Sequence, residues 1–394
     1  MSAPPAAPAR AAPARAASNL ARRSLGALRV VVVPYLVARV IVLGGLAFAH
    51  LVVSRTHPGS PGVAARVHQG LLAWDAGFYE SIARFGYRPF GHQALRFFPL
   101  LPLSARALAW LPGVSDGAAV VVIANLGALI GTALLVVLVR RETGDDHLAR
   151  RSAWLLSLAP PAFVLVLGYA EGLLLVFTVA TFLALRPAAG RRPSWLWAGL
   201  FGYAAALTRP LGVLLVLPVA CEAWRHWRGA PRAERPAIAL ALAGPVAGLV
   251  TFLAWSAGAF GDFFLPIRVQ TKAGHHGGLS DPFRTLVDDA KGALHHHFGT
   301  ALHVPWVVLV LVLVVVAWMR LPSPYGAFAT GVVLVALSGT NLDSFERYAL
   351  SAFPLVIVGA MGLASHRVER VVLTLSAAGL LAYALLAFLN LSVP

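Results

Sequence analysis

One cysteine, Cys221, stands in 394 residues, which excludes an internal disulfide and a cysteine-based metal cage. Charge is scarce as well. Asp, Glu, Lys and Arg make up 12% of the chain, against about 25% in soluble globular proteins. That charge is one-sided, with 32 Lys and Arg against 16 Asp and Glu and a net +16. There is no phosphate-cradling P-loop, no Gly-rich dinucleotide turn after a strand, no Cys/His zinc motif and no Asp-x-Asp pair. Apolarity fills the space. The chain is 58% hydrophobic, its mean hydropathy is +0.75, and several uncharged runs are long enough to cross a bilayer. A soluble enzyme, a secreted disulfide scaffold and a disordered regulator are thereby excluded. The fold class is an all-α polytopic membrane protein.

Residues 1–26, rich in Ala, Pro, Arg and Ser without apolar periodicity, read as a disordered cytoplasmic tail. Residues 27–394 read as a single integral-membrane domain. The run 30–53 is too long for a signal-peptide core and no small-x-small site clearly follows it, so it is the expected first membrane helix, with Arg39 inside it. Further expected spans are 118–139, 153–167, 172–185, 195–207, 211–224, 237–258, 305–319, 325–338, 350–363 and 371–391, about eleven in all. Several fall short of the about 20 residues that cross a bilayer upright. Merging 153–185 would give a helix about 50 Å long whose two flanks, 140–151 and 186–192, are both basic and belong on the same side. A hairpin turning at 168–172 satisfies both. With a cytoplasmic N-terminus the inside segments carry a large basic surplus and the outside segments almost none. The charge is therefore an orientation signal in a cell membrane and not a nucleic-acid surface.

The cytoplasmic connections are short and rich in Arg and Pro. Two extracytoplasmic loops, 54–117 and 259–304, are long, and a site is sought there. In the first, Leu71, Trp74, Phe78, Ile82 and Phe85 fall on one face of a predicted amphipathic helix lying in the membrane interface, with Trp74 as its anchor. Asp75 and Tyr79, four apart, are neighbours on that helix. Partial desolvation would raise the basicity of Asp75 and make it a candidate general base; the alternative is a solvated acid on an amphipathic helix. A second interfacial helix is expected after Phe97-Phe98-Pro99.

Polar residues also collect at the outer ends of the short spans: Tyr169 and Glu171, then Thr208-Arg209-Pro210, then Asp343, Glu346 and Arg347. Ionisable groups at headgroup depth are costly and default to functional candidates. Arg209 and Arg347 suit a lipid phosphate, which a planar guanidinium binds through two oxygens. Equally, Arg209–Glu171 and Arg347–Glu346 could be structural bridges. The second long loop carries His275, His276, His295, His296, His297 and His303 with Asp288 and Asp289 nearby, but no tight zinc spacing. A divalent metal there competes with a merely polar loop.

With these residues assembled, the chain resembles the PIG-V-type mannosyltransferases of the C-type (polytopic, GT-C) glycosyltransferase superfamily. The resemblance rests on WDAGFYESIARFGY at 74–87 followed by FFPLLP at 97–102, with support from GYAEGLL at 168–174, ALTRPLG at 206–212 and ERYALSAFPL at 346–355. It implies inverting transfer of a sugar, mannose by the family's name, from a polyprenyl-phosphate donor on the extracytoplasmic face. The acceptor would be an envelope glycolipid, glycan or protein. In that frame Asp75 is the catalytic base, Arg209 and Arg347 hold the donor phosphate, and Trp74, Tyr79, Tyr87, Phe97, Phe98, Tyr169, Glu171 and Glu346 serve substrate binding or fix the interfacial helices. A transporter or flippase for lipid-linked sugars would also use short broken helices and headgroup-depth arginines, but no internal repeat is visible. A transferase moving another group, such as arabinose, glucose or a whole oligosaccharide, is the third reading.

Overall fold

Proline decides where several of the apolar runs break. A computed structural model of the protein describes residues 11–56, 61–188, 190–271, 281, 303–339, 342, 344–363 and 365–391, with side chains from residue 26 onward, residue 61 excepted. Among these residues no strand is present. The α-helices in chain order are α1 Ala11–Thr56, α2 Pro61–Gln69, α3 Asp75–Phe85, α4 Leu100–Leu108, α5 Asp116–Thr143, α6 Asp146–Leu158, α7 Glu171–Leu185 and α8 Trp195–Thr208. They continue as α9 Val216–Trp227, α10 Arg235–Phe260, α11 Leu265–Gln270, α12 His303–Arg320, α13 Ser323–Leu337, α14 Phe345–Ser351, α15 Phe353–Met361 and α16 His366–Phe388. α1 begins inside the stretch expected to lack structure, in keeping with the helix preference of its alanines and arginines.

Among the described residues five helices are long and apolar enough to cross a membrane: Gly26–Thr56 within α1, α5, Arg232–Phe260 (α10 and the turn before it), α12 and α16. α7, α8 and α13 are apolar but shorter. A count of eleven spans is therefore not established. All eleven expected stretches are helical, but three are interrupted. Residues 153–167 divide into α6 and a 3₁₀ turn at Pro160–Leu165. Residues 211–224 divide into a 3₁₀ turn at Pro210–Leu215 and α9. Residues 350–363 break at Ala352, between α14 and α15. Proline lacks a donor and drives the residue before it out of the helical region. Ala159 (φ −51°, ψ 139°) and Arg209 (φ −154°, ψ 153°) show this directly.

A broken helix inside apolar surroundings leaves carbonyls that must find donors. Arg39, the charge within α1, meets that need. Its Nη2 donates to Leu165 O (2.7 Å) and its Nε to Asn125 Oδ1 (3.0 Å), while Asn125 Nδ2 donates to Val166 O (2.8 Å). The half-buried arginine is a structural prop for the turn that precedes α7.

Small residues set the position of α7. A Cβ built on Gly172 would lie 2.4 Å from Ala124 O and 2.6 Å from Ala128 N of α5, so the two backbones touch, as small residues allow between membrane helices. α8 and α10 meet in the same way, with Gly244 against the carbonyl of Gly199. Gly172→Val is expected to destabilise the protein by about 3 kcal/mol, the upper end for overpacking, because backbone rather than a side-chain tip must yield. Thermal unfolding in detergent measures the loss, and an unchanged midpoint would show that α7 can shift without cost.

The two ends of α7 are about 22 Å apart and meet different partners. At its C-terminal end Arg186 bonds Glu142 of α5 (2.7 and 3.0 Å) and Glu222 of α9 (2.7 Å). The basic flanks 140–151 and 186–192 thus lie together, as a hairpin at 168–172 requires. At the N-terminal end, Glu171 enters the cluster described next.

Candidate functional site

The first-loop helix differs from its expected form. Instead of running through Leu71, the chain makes a 3₁₀ turn at Gly70–Leu72, then reverses at Trp74 (φ 59°, ψ −127°) and begins α3 at Asp75. A bulky residue with positive φ is strained and needs outside support. That support is the indole, whose Nε1 donates to Ala387 O of α16 (2.9 Å), with the Arg66 guanidinium 4.1 Å from its ring centre. The buried face of α3 is Ala76, Tyr79, Ile82 and Ala83, while Phe78 and Phe85 are exposed. The break rotates the predicted stripe, so Tyr79 rather than Phe78 faces inward. Trp74 anchors this reversal, and Asp75 becomes the first residue of the helix.

Four chain segments converge there. Asp75 opens α3, Glu171 opens α7, Arg209 follows α8 in the extended conformation that Pro210 imposes, and Arg347 lies in α14. Arg347 Nη1 is 2.6 Å from Asp75 Oδ2. Glu171 Oε1 accepts from both Arg347 Nε and Arg209 Nη1. The result is a chain of alternating charge, Asp75–Arg347–Glu171–Arg209. Tyr169 lies under Arg347, ring centre to guanidinium 4.5 Å, and Tyr348 lies 5.3 Å from the Arg209 guanidinium. Side-chain exposure is 3% at Glu171, 7% at Arg347 and 11% at Arg209, but 24% at Asp75. The carboxylate at the end of the chain is the most open of the four.

Burial works to raise the proton affinity of Asp75, but the charges of Arg347, Arg96 and Arg209 outweigh it and hold the carboxyl below its ordinary value. The sequence-based expectation that desolvation makes Asp75 more basic is corrected here: the arginines win. Burial pushes the Tyr79 phenol upward, so it remains a protonated donor beside the cluster.

The remaining predicted residues divide. Tyr169, Glu171, Arg209 and Arg347 join Asp75, with Tyr79 close enough for their charges to act on it. Tyr87, Phe97 and Phe98 are buried in packing that fixes the loop helices: Tyr87 Oη donates to Phe97 O (2.8 Å), Phe97 stacks on Phe78 (4.7 Å), and Phe98 meets Phe252 of α10 (4.6 Å). Glu346 pairs with His303 Nδ1 (2.7 Å). Of the two bridges weighed from sequence, Arg209–Glu171 is present, and Arg347 bonds Glu171 and Asp75. Arg96 was missed. Its charge acts on Asp75, and its Nε is buried with no hydrogen-bond acceptor. A basic residue directly before Phe97-Phe98 in the outer loop was the available signal.

His275, His276, His295, His296, His297, Asp288, Asp289 and Asp343 lie outside the described residues. Among the described residues no group of three or more His, Cys, Asp or Glu stands together to hold a metal, and Asp75 and Glu171 are both engaged by guanidiniums.

No family model and no curated protein matches the chain. Among solved structures it is similar to the Archaeoglobus fulgidus oligosaccharyltransferase in complex with Zn and sulfate, with a TM-score of 0.44 and 12% identity over 79% of this chain and 47% of that one. It is also similar to the archaeal oligosaccharyltransferase AglB from Archaeoglobus fulgidus in complex with an inhibitory peptide and a dolichol-phosphate, with a TM-score of 0.42 and 12% identity over 93% of this chain and 55% of that one. The chain spans about half the length of these structures.

Proposed function

We propose that the protein is an inverting glycosyltransferase that moves a sugar, mannose by its sequence resemblance, from a polyprenyl-phosphate donor to an envelope glycolipid, glycan or protein. The observation that carries this reading is the ion pair of Asp75 with Arg347, which is tied through Glu171 to Arg209. The proposed base and its two proposed phosphate ligands thus adjoin, and the base is the most open of them. The acceptor hydroxyl gives its proton to Asp75 as its oxygen attacks the anomeric carbon. The bond from that carbon to the phosphate oxygen breaks, and the phosphate leaves with the electron pair. Arg209 and Arg347 stabilise the charge that develops on it. One displacement inverts the anomeric centre. The basic surplus of the segments read as cytoplasmic supports a site on the extracytoplasmic face of the cell membrane.

The test is transfer of labelled sugar from synthetic polyprenyl-phosphate mannose to envelope extract by purified protein. Arg347→Lys keeps the charge but loses the planar fork that spans Asp75 and Glu171. It is expected to raise the donor KM or lower turnover by about tenfold, the value of one good charge-assisted hydrogen bond. Unchanged kinetics in Arg347→Lys would restrict that arginine to structure.

A further inference from the structure

The resting cluster contains an obstacle to its own chemistry: the proposed base is tied up by a proposed phosphate ligand. We propose that the Asp75–Arg347 pair is the resting form of the site, and that a phosphate anion exchanges with Asp75 for Arg347, taking Arg96 and Arg209 as its other cations, so that Asp75 becomes a free base only when the phosphate is in place. The inference rests on the functional reading above.

Among the described residues Arg347 engages two carboxylates through different nitrogens, Nη1 toward Asp75 and Nε toward Glu171. Loss of Asp75 leaves the guanidinium held by Glu171 and seated 4.5 Å from the centre of the Tyr169 ring. Arg347 can therefore change its outer partner without moving. Asp75 is the outer partner, with 24% of its side chain open against 3% for Glu171, so an entering anion reaches that contact first.

The surroundings already hold donors that lack acceptors. Arg96 Nε is buried without an acceptor, and the hydroxyl proton of Tyr169, whose oxygen faces the Asp75 backbone amide, has none either. Buried donors left unmade are costly, and two of them next to Asp75 mark a place for an acceptor-rich group. A phosphate offers oxygens to both. Glu171 Oε2, also buried and without a partner, is an acceptor and suits a sugar hydroxyl instead.

The charged and titratable groups whose fields reach Asp75 or its ion-pair partner come from each neighbouring segment: Arg347 from α14, Arg96 from the turn before α4, Arg209 from the end of α8, Glu171 and Tyr169 at the start of α7, and Tyr79 on α3 itself. Among these described groups three arginines stand with two carboxylates, a setting that favours a monoanion such as a phosphodiester. While Arg347 faces Asp75 the carboxylate is a weakened proton acceptor. Once a phosphate takes up that guanidinium, the restraint is lifted. Proton transfer is thereby coupled to donor occupancy, and an empty site has no active base.

Linkage supplies a test that needs no turnover. If phosphate binding raises the proton affinity of Asp75, protonation or neutralisation of Asp75 must tighten phosphate binding by the same factor. The probe is farnesyl methyl phosphate, a diester whose single charge does not titrate near neutrality, with farnesol as the phosphate-free control and dimethyl phosphate as a lipid-free one. Asp75→Asn is expected to bind the farnesyl diester at least about tenfold tighter than wild type, one pKa unit of coupling between close charges. Wild-type affinity should rise as pH falls from 7 toward 4, and Asp75→Asn should show no such dependence. Arg96→Gln should weaken binding by about tenfold, the value of one charge-assisted hydrogen bond. The same Asp75→Asn gain with dimethyl phosphate supports exchange by phosphate alone, and a gain confined to the farnesyl diester supports exchange by a lipid-borne phosphate. Equal or weaker binding by Asp75→Asn overturns the exchange and leaves the transferase reading standing. Failure of both proteins to bind the farnesyl diester above farnesol overturns the exchange and the phosphate site together.

Discussion

Asp75→Asn should lower sugar transfer by about three orders of magnitude, within the range that a positioned general base contributes, while leaving the protein folded. The amide keeps the shape of the carboxylate and an oxygen that accepts from Arg347 Nη1, now 2.6 Å from Asp75 Oδ2. What disappears is the negative charge and the capacity to take a proton. Arg347 keeps an anionic partner in Glu171, which it shares with Arg209. Parallel measurements of transfer and of thermal unfolding in detergent separate the two effects. Transfer within threefold of wild type would remove Asp75 from the role of base.

The pH profile sharpens this expectation. The carboxyl of Asp75 is held below its ordinary value, near 4 for an unperturbed aspartate. The unfolded state therefore binds its proton more readily than the folded state does. The stabilisation from the Asp75–Arg347 pair is fully present above the unfolded value and is lost as pH falls through the lower, folded one. The acid limb of kcat/KM for the donor, which reports the free enzyme, should likewise lie below about pH 4. The acid limb of kcat reports the donor-bound enzyme and should lie higher if phosphate lifts the restraint on Asp75. Coincident limbs would separate donor binding from base strength.

Glu171→Ala should be the most destabilising single change in the site, at about 3–5 kcal/mol, the usual cost of removing one partner from a buried ion pair. Glu171 is the hinge of the charge chain, since one of its oxygens accepts from Arg209 and Arg347 together. Without it two buried guanidiniums, 11% and 7% exposed, face each other with no anion between them. Glu171→Gln keeps an acceptor at the same place and should cost less, so its donor KM can be measured on folded protein. Chemical or thermal unfolding of the three proteins in one detergent gives the comparison. An alanine variant as stable as wild type would mean that the two arginines do not depend on Glu171.

Much of the site could be assembled from residue order. The turns at 168–172, 208–210 and 343–347 stood out because ionisable residues at the ends of short apolar runs are uncommon, and Glu171, Arg209 and Arg347 do join Asp75 in one chain of ion pairs. Residues 153–185 could be divided because both flanks are basic, and Arg186 does bond Glu142. Local chemistry was less readable where a distant contact overrode it. The regular spacing of Leu71, Trp74, Phe78, Ile82 and Phe85 pointed to one helix, yet the bond from Trp74 to Ala387 holds a reversal in its middle. Periodicity describes what a segment prefers alone and carries no signal of a hydrogen bond to the far end of the chain.

Composition and patterning alone determined that the protein is helical and apolar and which polar residues stand at the ends of its short apolar runs. Hydrophobic runs and prolines act locally, so they can be read locally. Only the tertiary structure decided that Arg347 binds Asp75 and Glu171, that Glu346 pairs with His303, that Arg39 supports the carbonyls before α7, and that Arg96 is a third cation beside the base. Those pairings depend on which helix ends are brought together, and that is set by backbone contacts such as Gly172 against Ala124. The charge of a residue is written in its own letter; the partner that sets its proton affinity comes from another part of the chain.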